Sequence, residues 1–481
     1  MRGELFQRAD VAFARDAAAG YPETAPFDPP CSVRALVERA LERLGLDAAR
    51  AGSDGWNPLG DLVGPGATVL VKPNLVYHRH AHGGDPLSIV THGSVLRPLL
   101  DLARRAVGPG GRVVLGDAPQ ANADWDTLMD VTGIGAMVAA LNARGMEVEL
   151  SDMRRLVAHE RHEIRVREEV REGKTVPVDL GVGSYLAPLG ETLDNLFGAD
   201  YDRRATVDAH QGGRHAYMVA REVLNADLIV TVPKLKTHRK VGITVALKGM
   251  VGINGDKNFI PHYRVGDAPR GGDEFPLEER ASVRARSLAL RAGIDLFLAR
   301  FQPILGPATS WALGAYGRLR AASPDAPEET LIEKFYREVV GQSVRAGNWP
   351  GNDTLWRAVL DLNRIAHYAD REGRLQSDLQ RGYLCVADGI VGGDRGGPLR
   401  PRARRAGCIL AATNPVAMDV AAAALMGFAH DAMPMVARAL ADPSLAPRGV
   451  AKLIGERGVT LDFDPPKGWD VLRRQAALAP T

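Results

Sequence analysis

The side chains best suited to ionic and proton-transfer chemistry crowd into residues 226–262, ADLIVTVPKLKTHRKVGITVALKGMVGINGDKNFIPH, which hold Lys234, Lys236, Lys248, Lys257, His238 and His262. Leu228–Val232 is a short apolar, β-branched run that reads as a buried strand ended by Pro233. If the chain stays extended beyond it, Lys234, Lys236 and His238 share one face, because side chains two apart on a strand point the same way. Lysines act as point charges toward phosphate or carboxylate groups. A lysine run is ordinarily a solvated surface. Here the neighbours are Val, Leu, Ile, Pro and Gly, which favours lysines converging on an anion. Like charge beside His238 disfavours its proton, so it can serve as a neutral base.

Three other apolar runs end in the same manner. Residues 68–71 lead into Lys72 and Asn74, 112–115 into Asp117, and 383–387 into Asp388. Ligands of open α/β sheets bind outside the carboxyl ends of the strands, so parallel strands would gather all four sets in one crevice. Asp117 and Asp388 keep three roles open: holding a hard divalent cation, acid/base chemistry, or pairing with the lysines. Strand-end aspartates are also common turn formers. The catalytic candidates are therefore Asp117, His238, Lys248 and Asp388, and the substrate-binding candidates are Lys72, Asn74, Lys234, Lys236, Asn254, Lys257 and His262. No metal-ligand set is assigned. His78, His80 and His82 alternate at a spacing a metal could use, although a solvated loop is the simpler reading. Glycines in GMVGINGDKN and DGIVGGDRGGP let backbone amides approach a phosphate, but neither stretch matches GxxxxGK[ST] or a GxGxxG following a strand. No GxSxG, HExxH or Cys-His pairing is present.

The elements that must position these groups alternate. A helix over 32–44, with Ser32 as cap, precedes strand 68–71; a helix over 93–106, strand 112–115, further helical segments and a strand near 147–150 follow. Short apolar strands alternating with helices predict an α/β fold with a mainly parallel, doubly wound sheet. Residues 152–222 are charged, with short strands expected near 175–178 and 184–189. Residues 263–345 read as an inserted helical subdomain covering the crevice, with helices at about 277–301, 310–321 and 328–347 and a Gly/Pro-rich hinge at 266–276. Asp353 is expected to cap a helix whose polar stripe is Arg357, Asp361 and Arg364, and Asn414-Pro415 to open another. The chain thus divides into an N-terminal helical or irregular extension (1–65), an α/β core in two parts (66–262 and 346–430), the insertion (263–345) and a C-terminal helical tail (431–481).

The 481 residues carry a formal net charge of +2, so bulk charge points to neither nucleic acid nor membrane. Cys31, Cys385 and Cys408 lack CxxC spacing, and no structural zinc or iron–sulfur cluster is expected. The N-terminus lacks the apolar core of a secretory signal, and no apolar run is long enough to span a membrane. A cytoplasmic protein with reduced thiols is the expectation, and a homo-oligomer is left open.

At VLVKPN, ADLIVTVPKLKTH, ALKGMVGINGDK, WPGNDTLWRAVLDLNR, VADGIVGGDRGGP and NPVAMDVAAAALMG the sequence resembles the bacterial and archaeal family catalogued as domain of unknown function 362, over about residues 66–428. The resemblance implies a shared site at Lys72, Lys234, Lys236 and Lys248 without implying a reaction. Many members carry ferredoxin-type CxxCxxC clusters, which this chain lacks, so an electron-transfer role loses its main support. Two functions remain: an enzyme acting on an anionic small molecule, phosphorylated or carboxylated, with an aspartate or histidine moving a proton or a divalent cation assisting; or a non-catalytic binding or scaffold protein of a biosynthetic pathway.

Overall fold

Leu228–Val232 is apolar or β-branched at every position, and such a strand is stable only where both faces are covered. In the computed structural model it lies at the centre of a ten-stranded sheet. The structure describes residues 2–276 and 346–473, apart from 29–30, 162–163, 199–201 and 457, and isolated positions between 281 and 293. The strands are Asp10–Arg15 (β1), Thr68–Pro73 (β2), Arg112–Asp117 (β3), Glu149–Asp152 (β4), Leu228–Val232 (β5), Lys234–His238 (β6), Gly242–Thr244 (β7), Gly382–Asp394 (β8), Arg402–Ala412 (β9) and Lys452–Ile454 (β10). Their order is β10-β1-β9-β8-β5-β2-β3-β4, with β6 on β8 and β7 on β6. The run β8-β5-β2-β3-β4 is parallel throughout, Val230 standing between Val71 and Leu384. Within this sheet antiparallel pairing is confined to β1–β9, β8–β9 and β6–β7 among the described residues.

Alternate strand residues serve opposite faces, as the two-residue period requires. Val69, Val71, Val230 and Leu384 pack beneath helices Ser32–Leu44 (α1) and Gly93–Val107 (α2). Leu70, Ile229, Tyr383 and Cys385 pack on the other side against Leu355–Tyr368 (α3) and Pro415–Leu425 (α4). The sheet is therefore covered on both faces, an α/β fold with a mainly parallel, doubly wound core.

Several local expectations change. Segment 1–65 contributes β1, whose Val11 and Phe13 face one layer and Ala12 and Ala14 the other, between β9 and β10. It is part of the sheet, not an extension. Segment 431–481 supplies the edge strand β10 beside the short helix Pro434–Leu440. Residues 175–178 fall in a strand, Thr175–Asp179, paired with Ala216–Ala220, whereas 184–189 enter 3-10 turns. Cys31, not Ser32, caps α1 by accepting from Arg34 N through Sγ. Asn414 caps α4 as the sequence indicated. Asn352 accepts from the amides of Thr354 and Leu355 at the start of α3, while Asp353 pairs with Arg357 at 3.0 Å. Asp361 of the polar stripe is buried and accepts from Ser184 Oγ, Tyr185 N and Tyr217 OH at 2.5–2.8 Å.

The helices expected at 277–301, 310–321 and 328–347, and with them any lid, lie outside the described residues apart from isolated positions. The stretch read as a hinge is tied to the core: Asp273 accepts from Arg264 N (2.6 Å), Asp353 N (2.8 Å) and Thr354 Oγ1 (2.6 Å). Among the described residues no helix is long and apolar enough to cross a membrane.

If β1 is integral, truncating its fully buried Phe13 opens a core cavity. Phe13→Ala is expected to cost about 3–5 kcal/mol in urea unfolding. A loss below about 1 kcal/mol would return the segment to the status of a peripheral arm.

Candidate functional site

Parallel pairing carries the ends of β2 and β3 to one edge, where Lys72 Nζ meets Asp117 Oδ1 at 2.7 Å with both side chains buried. The other Asp117 oxygen accepts from Leu75 N at 2.7 Å. A loop presses on this pair from above: a Cβ on Gly252 would stand 2.0 Å from Asp117 Oδ1, so only glycine lets the backbone approach.

Pro233 ends β5, and the chain resumes as β6 along β8, placing Lys234 opposite Asp388. Their side chains pair at 3.0 Å with no exposure. Tyr21 OH lies 2.5 Å from Lys234 Nζ and donates to Asp388 Oδ1 at 2.7 Å, and its ring stacks on His92 at 4.3 Å. Both aspartates thus adopt the ion-pairing role among the three left open by the sequence.

Only the first pair borders the cavity at this edge. The cavity has a volume of about 200 Å³ and is lined by Lys236, His238, Lys240, Lys248, Lys257 and His262, with Asn74, Asp117, Thr244 and apolar walls that include Val76, Val251 and Ile260. Lys72, Lys234, Asp388 and Asn254 are not on its lining. Asn254 instead shapes the loop, accepting from Met218 N at 2.7 Å and donating to Asp256 O at 2.6 Å.

Three lining lysines are tethered to backbone oxygens. Lys236 Nζ donates to Ile89 O (2.7 Å) and Pro398 O (3.3 Å), Lys257 Nζ to Asn254 O (2.7 Å) and Val251 O (3.2 Å), and Lys240 Nζ to Ala346 O. No described residue accepts a hydrogen bond from Lys248 Nζ. Among the described residues Asp117 is the one carboxylate on the lining, and Lys72 already engages it. Burial, with Lys72 adding repulsion, brings Lys248 down to about 8. Burial brings Lys257 to about 7 against the pull of Asp117. Lys236 falls well below the ordinary lysine range through burial, then through Lys248 and Lys234.

Burial and neighbouring lysines also keep both histidines neutral, His262 at about 3 and His238 well below its usual value. Their tautomers follow from the backbone. His238 Nδ1 accepts from Lys240 N at 3.1 Å, which leaves the proton on Nε2 as a donor. His262 Nδ1 lies 2.9 Å from Ile260 O and must donate, which leaves the Nε2 lone pair as an acceptor. In these tautomers His238 presents a donor and His262 an acceptor, so the neutral-base reading made for His238 does not fit its Nε2.

Three contributors carried no signal in the sequence. Lys240 and Thr244 line the cavity, and the Thr244 hydroxyl is buried without a partner among the described residues. Asp419 of α4 accepts from Ala246 N (2.7 Å) and Leu247 N (3.4 Å), holding the turn Ala246–Gly249 that presents Lys248. Asp419 is 173 residues from Ala246, so no local pattern links the two. His80 is occupied in its loop, accepting from His82 N and Gly84 N. Among the described residues no group of three or more His, Cys, Asp or Glu side chains is arranged to hold a metal ion.

Fold and site together define an α/β protein with a cationic cavity at the carboxyl edge of a parallel sheet. The chain belongs to the DUF362 family: the model of that domain of unknown function matches residues 169–424, just over half of the sequence. The matched stretch contains Lys236, His238, Lys248, Lys257 and His262, while Lys72, Asn74 and Asp117 precede it. Among curated proteins, none matches the chain.

Two lysines of the same strand should respond oppositely to removal of charge. Lys234→Met breaks a buried pair and is expected to cost about 3–5 kcal/mol. Lys236→Met removes a buried cation that has no carboxylate partner and should leave denaturant stability unchanged or raised. Equal losses in the two variants would contradict this division.

Asp419, pushed up to about 7 by burial, holds its proton in the folded chain well above its ordinary value of 3.8. Between these pH values the unfolded state releases the proton first, so this group's contribution to stability falls as pH rises. Asp419→Asn keeps an acceptor for the two amides and does not titrate. Its melting temperature relative to wild type should therefore climb from pH 4 to pH 8, and a flat difference would mean that Asp419 does not titrate in this range.

Proposed function

We propose that the chain is an enzyme acting on a small anionic molecule, phosphorylated or carboxylated, bound in the lysine-lined cavity. The observation that carries this reading is the charge imbalance: Lys236, Lys240, Lys248 and Lys257 line a cavity whose one carboxylate among the described residues is already engaged by Lys72. Burying cations without counter-charge is costly, and an anionic ligand supplies the missing partner. At about 200 Å³ the cavity is smaller than typical drug-sized sites, which suits a phosphate or carboxylate on a short carbon skeleton. In this reading Lys236 and Lys257 bind the anion, His238 Nε2–H donates to the substrate, and His262 Nε2 accepts a proton from it. A ligand-binding protein without turnover would share the first step, and product formation separates the two.

Sulfate is a suitable first probe because its charge is constant near neutrality. It should raise the melting temperature, with affinity weakening as pH rises through the range in which Lys257 and Lys248 lose their protons, about 7 and about 8. Lys236→Met should weaken sulfate about ten- to a hundred-fold, the worth of one charge-assisted contact. A sulfate affinity indifferent to both pH and this substitution would defeat the reading.

A further inference from the structure

Ten of the chain's sixty cationic side chains are lysines, the rest being arginines. Six of those ten, Lys72, Lys234, Lys236, Lys240, Lys248 and Lys257, lie at the sheet edge around the cavity. Arginine would hold an anion at least as well, by two parallel hydrogen bonds, but it stays charged and cannot act as a nucleophile. A chain that uses arginine almost everywhere else has lysine here. Within the cluster one amine differs from its neighbours. Lys236, Lys240 and Lys257 are held by backbone carbonyls and Lys72 by Asp117, whereas no described residue accepts from Lys248.

We propose that Lys248 is a covalent nucleophile that forms an imine with a small anionic aldehyde or ketone whose carboxylate or phosphate is held by Lys236 and Lys257. The proposal rests on the anion-site reading and names its substrate class. Its geometry is that of an untethered amine on a rigidly held turn, facing a small cavity with apolar walls and fixed cations. A desolvated lysine beside another cation is the recognised way to make an amine nucleophilic near neutrality, and burial together with Lys72 brings Lys248 down to about 8.

The step balances with one proton exchanged with solvent. Lys248 reacts as its neutral amine, the ammonium having released one proton to solvent and an amine N–H donating to His262 Nε2, and its nitrogen lone pair adds to the carbonyl carbon. The π pair of the carbonyl moves to oxygen, which receives a hydrogen bond from His238 Nε2–H and takes up the second nitrogen proton. A solvent proton replaces the one released and protonates the resulting hydroxyl, which leaves as water, and the nitrogen lone pair forms the C=N bond of a protonated imine. No oxidant, reductant or further co-reactant enters. Lys72 and the bound anion then flank a cationic imine, an electron sink for chemistry at the adjacent carbon.

Glyoxylate with sodium cyanoborohydride tests the proposal on the full-length wild-type protein, because reduction of its imine leaves a stable carboxymethyl-lysine that peptide mapping locates. Lys248, brought down to about 8, is expected to be modified at least about ten times faster than the exposed Lys452 and Lys467. Sulfate should slow the reaction at Lys248 alone. Lys248→Arg should abolish the fast modification while sulfate still raises the melting temperature. Modification spread evenly over exposed lysines, with sulfate still stabilising the protein, would overturn the imine proposal and leave the anion site standing. Absence of both effects would overturn the two together.

Discussion

Positive charge held in a low-dielectric cavity without an equal number of carboxylates is the constraint on which this structure turns. An uncompensated buried cation is tolerated only if it is paired, solvated by carbonyl dipoles, or partly deprotonated. All three solutions are present within one sheet edge. Lys72 and Lys234 are paired with Asp117 and Asp388. Lys236 and Lys257 are solvated by backbone oxygens and have lowered proton affinity. Lys248 has no acceptor among the described residues, is partly exposed and has a lowered proton affinity. Fixed carbonyl dipoles differ from carboxylates in one consequential respect: they position a cation without cancelling its charge, so the field remains available to a ligand.

The switch at Pro233 separates the ion-paired lysine from the cavity-facing one. Proline ends the β5 ladder, and the resumption as β6 sets Lys234 against Asp388, where Tyr21 and His92 close the network. Two residues later Lys236 is directed to Ile89 O and the cavity. The N-terminal segment is therefore part of the site's support, since Tyr21 completes the Lys234–Asp388 network while β1 extends the sheet behind it. Asp419 plays the corresponding role from the far side of the chain by fixing the turn that carries Lys248. Preorganisation of this kind leaves little reorganisation to be done when a charged ligand arrives.

The two cavity histidines show how backbone contacts set chemical roles. Both rings are neutral, yet one Nδ1 meets an amide N–H and the other a carbonyl. The result is one donor and one acceptor at the cavity, a complementary pair that neither residue type nor local charge would specify.

The sequence by itself determined the fold class and most of the cavity. Continuous apolar strands such as Leu228–Val232, interleaved with amphipathic helices, leave few arrangements other than a buried parallel sheet, and strand-end residues of such a sheet share one edge by construction. Asn74, Asp117, Lys236 and His238 were legible for that reason, Lys248, Lys257 and His262 from the cationic stretch that follows, and all line the cavity. Only the tertiary structure decided which lysines are spent on ion pairs, because partners 154 residues apart in the case of Lys234 and Asp388 leave no local trace. It alone decided the place of β1, whose six residues are too short for periodicity to separate from a loop. It alone placed Asp419 on the Lys248 turn and made His262 Nε2 the acceptor and His238 Nε2 the donor. These are long-range or hydrogen-bond-direction facts, and a one-dimensional pattern records only which side chains are available, not which dipoles they will meet.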